Sequence, residues 1–406
     1  MMMAKQGAPT AVPRLRFPEF QKTNAWEKRP FSRLFTVGNG RDYKHLGSGL
    51  IPVYGSGGYM LSVNDYLYDG ESVCIGWKGT INNPIFLSGK FWTVDTLFYT
   101  HSFRDCLPLF IYLHFQNIDW LKHNEAGGVP SLSKSNIEKI EVSIPGLTEQ
   151  QKVADCLTSL DEVIAAQGRK VEALKTHKRG LMQQLFPREG ETRPRLRFPE
   201  FRNAPEWITR SLGELMVIGS SRRVHESDWT TAGVPFYRAR EIVAIGKDEP
   251  INPLFISEAL YREFAGYTGE IEEGQLLVTG VGSIGIPYLV KFGDRFYFKD
   301  GNIIWLKNNQ ADLAGNFLLR LFESGYVQGQ IATMAGIGTV GTYTIENAKR
   351  TIAVFPVDKR EQQRIAKCLS SLDTQITAEA NQLAALKTHK QGLMQQLFPS
   401  PESAAI

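Results

Sequence analysis

A block of 39 residues occurs twice in this chain. Residues 149–187 read EQQKVADCLTSLDEVIAAQGRKVEALKTHKRGLMQQLFP, and residues 361–399 read EQQRIAKCLSSLDTQITAEANQLAALKTHKQGLMQQLFP, identical at 25 of 39 positions without a gap. A shorter block, PRLRFPEF, also occurs twice, at residues 13–20 and 194–201. Each copy is followed six residues later by a tryptophan, Trp26 or Trp207. The order is short block, variable region, long block, and then the same three again. Such self-similarity marks a duplicated architecture, so the same plan has to be built twice.

The long blocks have the pattern of helices. Apolar residues fall at Val153, Leu157, Leu160, Ile164, Val171, Leu174, Leu181 and Leu185. The second block matches with Ile365, Leu369, Leu372, Ile376, Leu383, Leu386, Leu393 and Leu397. Steps of four and three alternate once the polar places Gln167, Lys178, Glu379 and Lys390 are counted. A repeat of about 3.5 residues predicts a coiled-coil seam. Thr148 with Gln151, and Asp358 with Glu361, have the spacing of capping boxes, and Pro187 and Pro399 end the helices. Gly180 and Gly392 weaken each helix near its end, by about 1 kcal/mol against alanine. A compact domain between the helices would bring its own termini together. The second helix then starts near the end of the first, making an antiparallel pair, each helix roughly 55 Å long at 1.5 Å per residue.

The variable regions differ from the helices and from each other. They are rich in glycine and aromatics, with strand-like runs at 72–75, 92–99, 275–279 and 302–306 and helical patterns at 108–120 and 312–324. The turn GTINNP at 79–84 has a faint echo in GSIGIP at 282–287. The expected class is α+β, with two α+β domains separated by two long antiparallel coiled-coil helices in an internal pseudo-two-fold repeat. The expected boundaries are a flexible tail at 1–12, a first domain at 13–146, a helix at 147–187, a linker at 188–193, a second domain at 194–357, a helix at 358–399, and a tail at 400–406.

Several function classes are disfavoured. The longest apolar stretch, residues 107–115, falls well short of the roughly 20 residues of a membrane span. Residues 1–12 lack a signal-peptide layout, and four scattered cysteines fit neither a disulfide scaffold nor a zinc site, so a cytoplasmic protein is expected. The chain has no G-x-x-x-x-G-K-[ST] loop for ATP. Asn83-Pro84-Ile85-Phe86 and Asn252-Pro253-Leu254-Phe255 approach an adenine-methyltransferase [ND]-P-P-[YF] loop but lack its second proline. Glycine-rich 36–40 has no cofactor-binding strand–loop–helix unit around it. His177 and His389 share one repeat position, and a helix-surface or partner-contact role is preferred to a metal pair. Bulk charge decides nothing: residues 21–145 carry 12 Lys/Arg against 11 Asp/Glu, and residues 202–357 carry 15 against 17.

The FPEF…W openings, the GTI and GSI loops, the Pro-then-EQQ entry to a long helix, and LKTHKxGLMQQLFP at both helix ends resemble the specificity subunit of type I restriction-modification systems. The resemblance covers residues 13–399. It implies two target-recognition domains, each reading one half of a split sequence in double-stranded DNA. It implies that the two helices dock two adenine-methyltransferase (modification) subunits and, through them, the restriction/translocase subunits. S-adenosylmethionine, ATP and Mg would then be bound by those partners, with no cofactor, metal or catalytic residue in this chain. Two different readers on a rigid rod give an asymmetric bipartite target with a fixed, unread spacer. A stand-alone methyltransferase or nuclease with degenerate motifs is the alternative, and a DNA-binding scaffold without partners a third reading.

Phosphates are gripped by Lys, Arg and backbone N–H groups, and base edges by Arg, Lys, Asn, Gln, Ser and Thr. In the first domain the candidates are Arg41, Tyr43, Lys44, His45, Lys78, Thr80, Asn82 and Asn83. In the second they are Ser220, Ser221, Arg222, Arg223, His225, Arg238, Arg240 and Ser283. The Gly-Ser-Ser-Arg-Arg stretch resembles the family's Gly-Ser loop without the Thr-Pro that many members carry. Near-identical helices suit two copies of one partner better than two different half-sites. The candidate docking positions, taken as exposed, are Gln150, Gln151, Lys175, Thr176, Gln183, Gln184, Gln362, Gln363, Lys387, Thr388, Gln395 and Gln396. Solvation of the coiled coil is the plainer reading of the same residues.

Overall fold

The structure, a computed structural model, describes residues 10–247, 249–308, 312–336 and 341–399. The expected tail at 400–406 and most of that at 1–12 lie outside these residues. Two long helices, α1 (Leu147–Leu185) and α2 (Lys359–Leu397), span 39 residues each. The chain forms two compact units, one made of residues up to Arg169 together with those from Asn381 onward, the other of Lys170–Ala380. The unit boundaries thus cut through both helices instead of falling at their ends. The reason is packing. Val153 and Leu157 join Met394 and Leu397 in one hydrophobic core, and Met182 and Leu185 join Ile365 and Leu369 in another. Each core takes the start of one helix and the end of the other.

The α+β plan is repeated in each unit. The first holds an antiparallel sheet in the spatial order Thr36–Asn39, Leu97–His101, Ser72–Gly76, Ile85–Leu87. The second holds Val217–Gly219, Ile303–Lys307, Leu276–Thr279, Pro287–Leu289 in the equivalent order. A further sheet in each unit contains a parallel pair: Ser48–Gly55 with Lys90–Thr93, and Val234–Tyr237 with Tyr297–Phe298. The turns GTINNP and GSIGIP join matching strands, so the faint sequence echo marks a true structural equivalence. The strand expected over 92–99 is two strands, because the chain turns at Val94, whose carbonyl accepts from Leu97 N. Gly38 has a packing reason: a Cβ there would lie 2.4 Å from the Tyr99 ring. Helices Pro108–Asn117 and Gly315–Glu323 were foreseen in outline.

All sixteen seam positions are buried or half-buried. Within the second unit Lys170 meets Glu379 and Lys178 meets Asp373 at 2.6 Å, so the helices run antiparallel there. Within the first, Lys390 meets Asp161 at 2.7 Å. Asp161 and Lys178 occupy in α1 the repeat positions of Asp373 and Lys390 in α2, so one ion pair is made twice. The charged places in the seam, Lys178, Lys390 and Glu379, are therefore register pins, the use of interrupted seams best attested elsewhere.

The helix starts depart from expectation. Asp358 caps α2 through Arg360 N at 2.8 Å, but Glu361 does not close a box. Its carboxylate takes Arg197 at 2.7 and 2.6 Å and Trp207 Nε1 at 3.3 Å. Glu149 does the same with Arg16 at 2.8 and 2.7 Å and Trp26 Nε1 at 3.0 Å. Thr148 lies inside α1, and Gln151 turns to Asp155, so no box forms there either. A buried carboxylate facing a guanidinium gains more from that partner than from a backbone N–H. These paired latches tie each PRLRFPEF block and its tryptophan to a helix start. The tail expected at 1–12 also ends early: Thr10 and Ala11 pair as a strand with Glu27 and Trp26.

Candidate nucleic-acid interface

In the first unit two candidate loops reach one side. Arg41 is fixed through its backbone, its N–H donating to Thr93 O and its carbonyl accepting Trp92 Nε1, both at 2.8 Å, which leaves the side chain exposed. His45 packs edge-on against Trp92. Tyr43 and Lys44 border an open groove of about 790 Å³ with the hairpin tip Gly55 to Met60 and with Asp95 and Thr96. The Lys78–Asn83 turn sits beside it. Trp77 donates through N to Thr96 O and through Nε1 to Asp95 O, and a Cβ on Gly76 would touch both Thr80 O and Ser56 Cβ. Gly79 has φ +82°, and Ile81 is buried, which pushes Lys78, Thr80, Asn82 and Asn83 to the surface. Sequence reading missed the hairpin tip, whose Tyr59 is 62% exposed. A stretch with no charged residue gave it no signal.

The second unit uses several of its candidates internally. Ser220 Oγ donates to Ile303 O at 2.7 Å and accepts from Gly301 N, and Ser221 Oγ donates to Phe298 O at 2.5 Å. Each hydroxyl gives its one proton to a backbone carbonyl and so holds the loop, keeping only acceptor capacity toward a base edge. The loop they hold presents Arg222 and Arg223. The Arg222 guanidinium lies 4.3 Å from the Tyr267 ring centre and is exposed, while Arg223 pairs with Asp300. His225 is exposed, and its N–H donates to Asp228. Arg238 and Arg240 both converge on buried Glu241, at 2.7 and 2.6 Å. Burial pushes the Glu241 carboxyl up, but the two guanidiniums and the Arg238 N–H outweigh it and hold the group below its usual range. Arg238 is thus largely committed, whereas Arg240 remains 71% exposed along its side chain. Ser283 stands exposed at the tip of the GSI turn, where Thr279 donates to its carbonyl.

On the helices Gln151, Lys175, Thr176, Gln183, Gln184, Gln363, Lys387, Thr388, Gln395 and Gln396 are exposed. Gln150 and Gln362 are not: both are fully buried, a correction to the expected docking face. Gln150 donates to Asp105 O and Pro145 O and accepts from Leu107 N. Gln362 donates to Asp312 O and Pro356 O and accepts from Ala314 N. An amide offering both donors and an acceptor satisfies three backbone groups at once, so these glutamines are clamps between helix start and domain. Identity across the repeat was one signal and the seam a second: three residues before Val153 and Ile365 stand Gln150 and Gln362, on the buried side of each helix.

The near-miss methyltransferase loops lead into strands Ile85–Leu87 and Leu254–Ile256. His177 and His389 are exposed, and among the described residues no group of three or more His, Cys, Asp or Glu could hold a metal ion. Among these residues no helix is long and apolar enough to cross a membrane.

Residues 24–176 match the family model described as the type I restriction modification DNA specificity domain. A protein of Haemophilus influenzae named as a type I restriction enzyme specificity subunit is 23% identical over 336 residues, 80% of this chain and 81% of the relative. A type I restriction enzyme specificity subunit of Methanocaldococcus jannaschii is 24% identical over 343 residues, 82% of this chain and 80% of the relative. The fold is similar to the crystal structure of a type I restriction-modification system S subunit from M. genitalium, with TM-score 0.60 and 16% identity over 96% of this chain and 99% of that one. A chain from a structure of type I system assembly and conformational transition gives TM-score 0.58 at 15% identity, covering 92% and 98%.

Proposed function

Because this chain belongs with the type I restriction-modification specificity subunits, whose DNA specificity domain it carries at residues 24–176, we propose that each unit reads one half of an asymmetric, bipartite DNA target. The repeated helices set the spacer and dock two adenine-methyltransferase subunits, and through them the restriction subunits. The chain itself contributes no catalysis; S-adenosylmethionine, ATP and Mg are bound by its partners. One observation carries this reading: the two units share a strand order while their exposed loops carry different chemistry. A shared scaffold with different readers gives two different half-sites, and near-identical helices give two copies of one partner.

The test is methylome sequencing of a host with and without the gene, and with residues 202–357 exchanged for those of a relative. The unaltered gene should add one asymmetric bipartite methylation motif. The exchange should alter one half-site and leave the other half and the spacer untouched. Change in both half-sites overturns the two-reader assignment, and methyl transfer by the purified chain alone favours the stand-alone enzyme.

Within the second unit, Arg222→Ala should weaken DNA binding more than Arg238→Ala, because the Arg238 guanidinium is already held by Glu241. If Arg222 touches phosphate, affinity falls evenly across sequences and the salt dependence flattens by about one charge. If it reads guanine, the loss is about 1–3 kcal/mol at one base pair. Salt-titrated binding to the target and to single-base variants separates the two, and equal small losses for both arginines would remove Arg222 from the interface.

A further inference from the structure

PRLRFPEF is the same eight residues in two places, and most of them are accounted for by contacts within their own unit. Pro13 and Pro194 are buried. Arg16 and Arg197 belong to the two latches. Phe17 lies under Lys152 and Phe198 under Arg364, at 5.7 and 4.6 Å. Glu19 pairs with Lys152 and Glu200 with Arg364. Pro18–Phe20 and Pro199–Phe201 form matching 3-10 turns. What remains is Arg14-Leu15 and Arg195-Leu196, whose side chains stand exposed. Leu15 is 41% exposed and Leu196 38%. Both guanidiniums are exposed and make no hydrogen bond or ion pair among the described residues. Each pair is nonetheless held in a fixed place, because Leu15 N donates to Gln396 O and Leu196 N to Gln184 O, both at 2.9 Å.

From this we infer that Arg14-Leu15 and Arg195-Leu196 are twin anchor points for two copies of one protein partner, each presenting an apolar pocket rimmed by carboxylates. The inference rests on the reading that the chain docks two methyltransferase subunits, and it locates the contact on the short blocks beside the exposed glutamines of the helix ends. An uncommitted guanidinium calls for a carboxylate or a phosphate. The exposed leucine beside it decides for protein, since an apolar side chain gains nothing from a phosphate backbone, while arginine beside apolar surface is common at protein interfaces. Duplication decides the number. Two identical patches in a chain whose readers differ serve two identical ligands.

The experiment is native mass spectrometry of the full-length chain mixed with the methyltransferase subunit of its own system. The unaltered chain should bind two copies. Arg14→Glu with Leu15→Asp should leave one copy bound, Arg195→Glu with Leu196→Asp likewise, and all four changes together none, with at least tenfold weaker association at each altered patch. The substituted side chains are exposed, so thermal melting should be unchanged; if it is not, the milder Arg14→Ala and Arg195→Ala variants are read for the same stepwise loss. Two copies retained by the fourfold variant overturn the proposal and leave the docking reading intact. An unaltered chain that binds fewer than two copies overturns the docking reading itself. Loss of DNA affinity by the isolated variant with partner stoichiometry unchanged would make these residues phosphate contacts, and also overturns the proposal.

Discussion

Replacing Glu361 with alanine should cost the second unit about 3–5 kcal/mol, the usual penalty for removing one partner of a buried ion pair. Arg197 and Glu361 expose only 7% and 1% of their side chains, so the guanidinium would be stranded out of water. The loss is large against the roughly 5–15 kcal/mol that holds an ordinary domain together. Glu149→Ala should do the same to the first unit through Arg16, whose side chain is 7% exposed. Two controls give the prediction its content. Changing both partners, Arg197→Met with Glu361→Leu, should recover most of the loss, because the stranded charge is gone. Breaking Glu200–Arg364, a half-exposed pair at 3.2 Å that ties the same block to the same helix, should leave the midpoint where it is. Urea unfolding followed by tryptophan fluorescence reports the change, since Trp207 donates to the same carboxylate. A loss below about 1 kcal/mol for Glu361→Ala would mean that water reaches the latch, and the argument from burial would fail.

Lengthening both helices by one heptad, near Gln167 and near Glu379, should lengthen the DNA spacer without changing either half-site. The insertion points lie between the two repeated register pins, so Asp161–Lys390 and Lys178–Asp373 both survive, and seven residues keep the seam in phase. Seven residues add about 10 Å of helix. At roughly 3.4 Å per base pair along one strand, the spacer grows by up to about three base pairs, fewer if the helices are inclined to the duplex. Inactivity alone decides nothing, because on the proposed reading the methyltransferase subunits would also have to span the longer helices. An active variant that still methylates the original spacing shows that the helices are not the ruler.

The sequence made the repeat, the helix seam and the α+β class legible because each rests on a periodicity or an identity. The seam residues needed only a 3.5-residue count, and Ser72–Gly76 and Leu276–Thr279 only a β-branched run between turns. What stayed hidden depends on partners distant in the chain. Glu361 has the spacing of a helix cap, and nothing local says that Arg197 will claim it. Gln362 has the polarity of a solvated residue until Asp312, Ala314 and Pro356 are brought around it. Ser220 and Ser221 have the chemistry of base readers, but strand residues Ile303 and Phe298 take their hydroxyl protons. Local pattern gives the element, and long-range contact decides which polar groups remain free to act.

The twice-made ion pair also bears on ancestry. Residues 147–187 contain both Asp161 and Lys178, and their counterparts in the second helix are Asp373 and Lys390. A polypeptide ending after Pro187 would own one complete set of complementary charges and one complete apolar seam. Two molecules of it, laid head to tail, could form Asp161–Lys178 contacts across the pair in both directions. The chain therefore has the arithmetic of a homodimer closed into one polypeptide by the connection at 188–193. In such a molecule the fusion frees the two halves to diverge, as the two variable regions have done while the seam and its charges stayed matched.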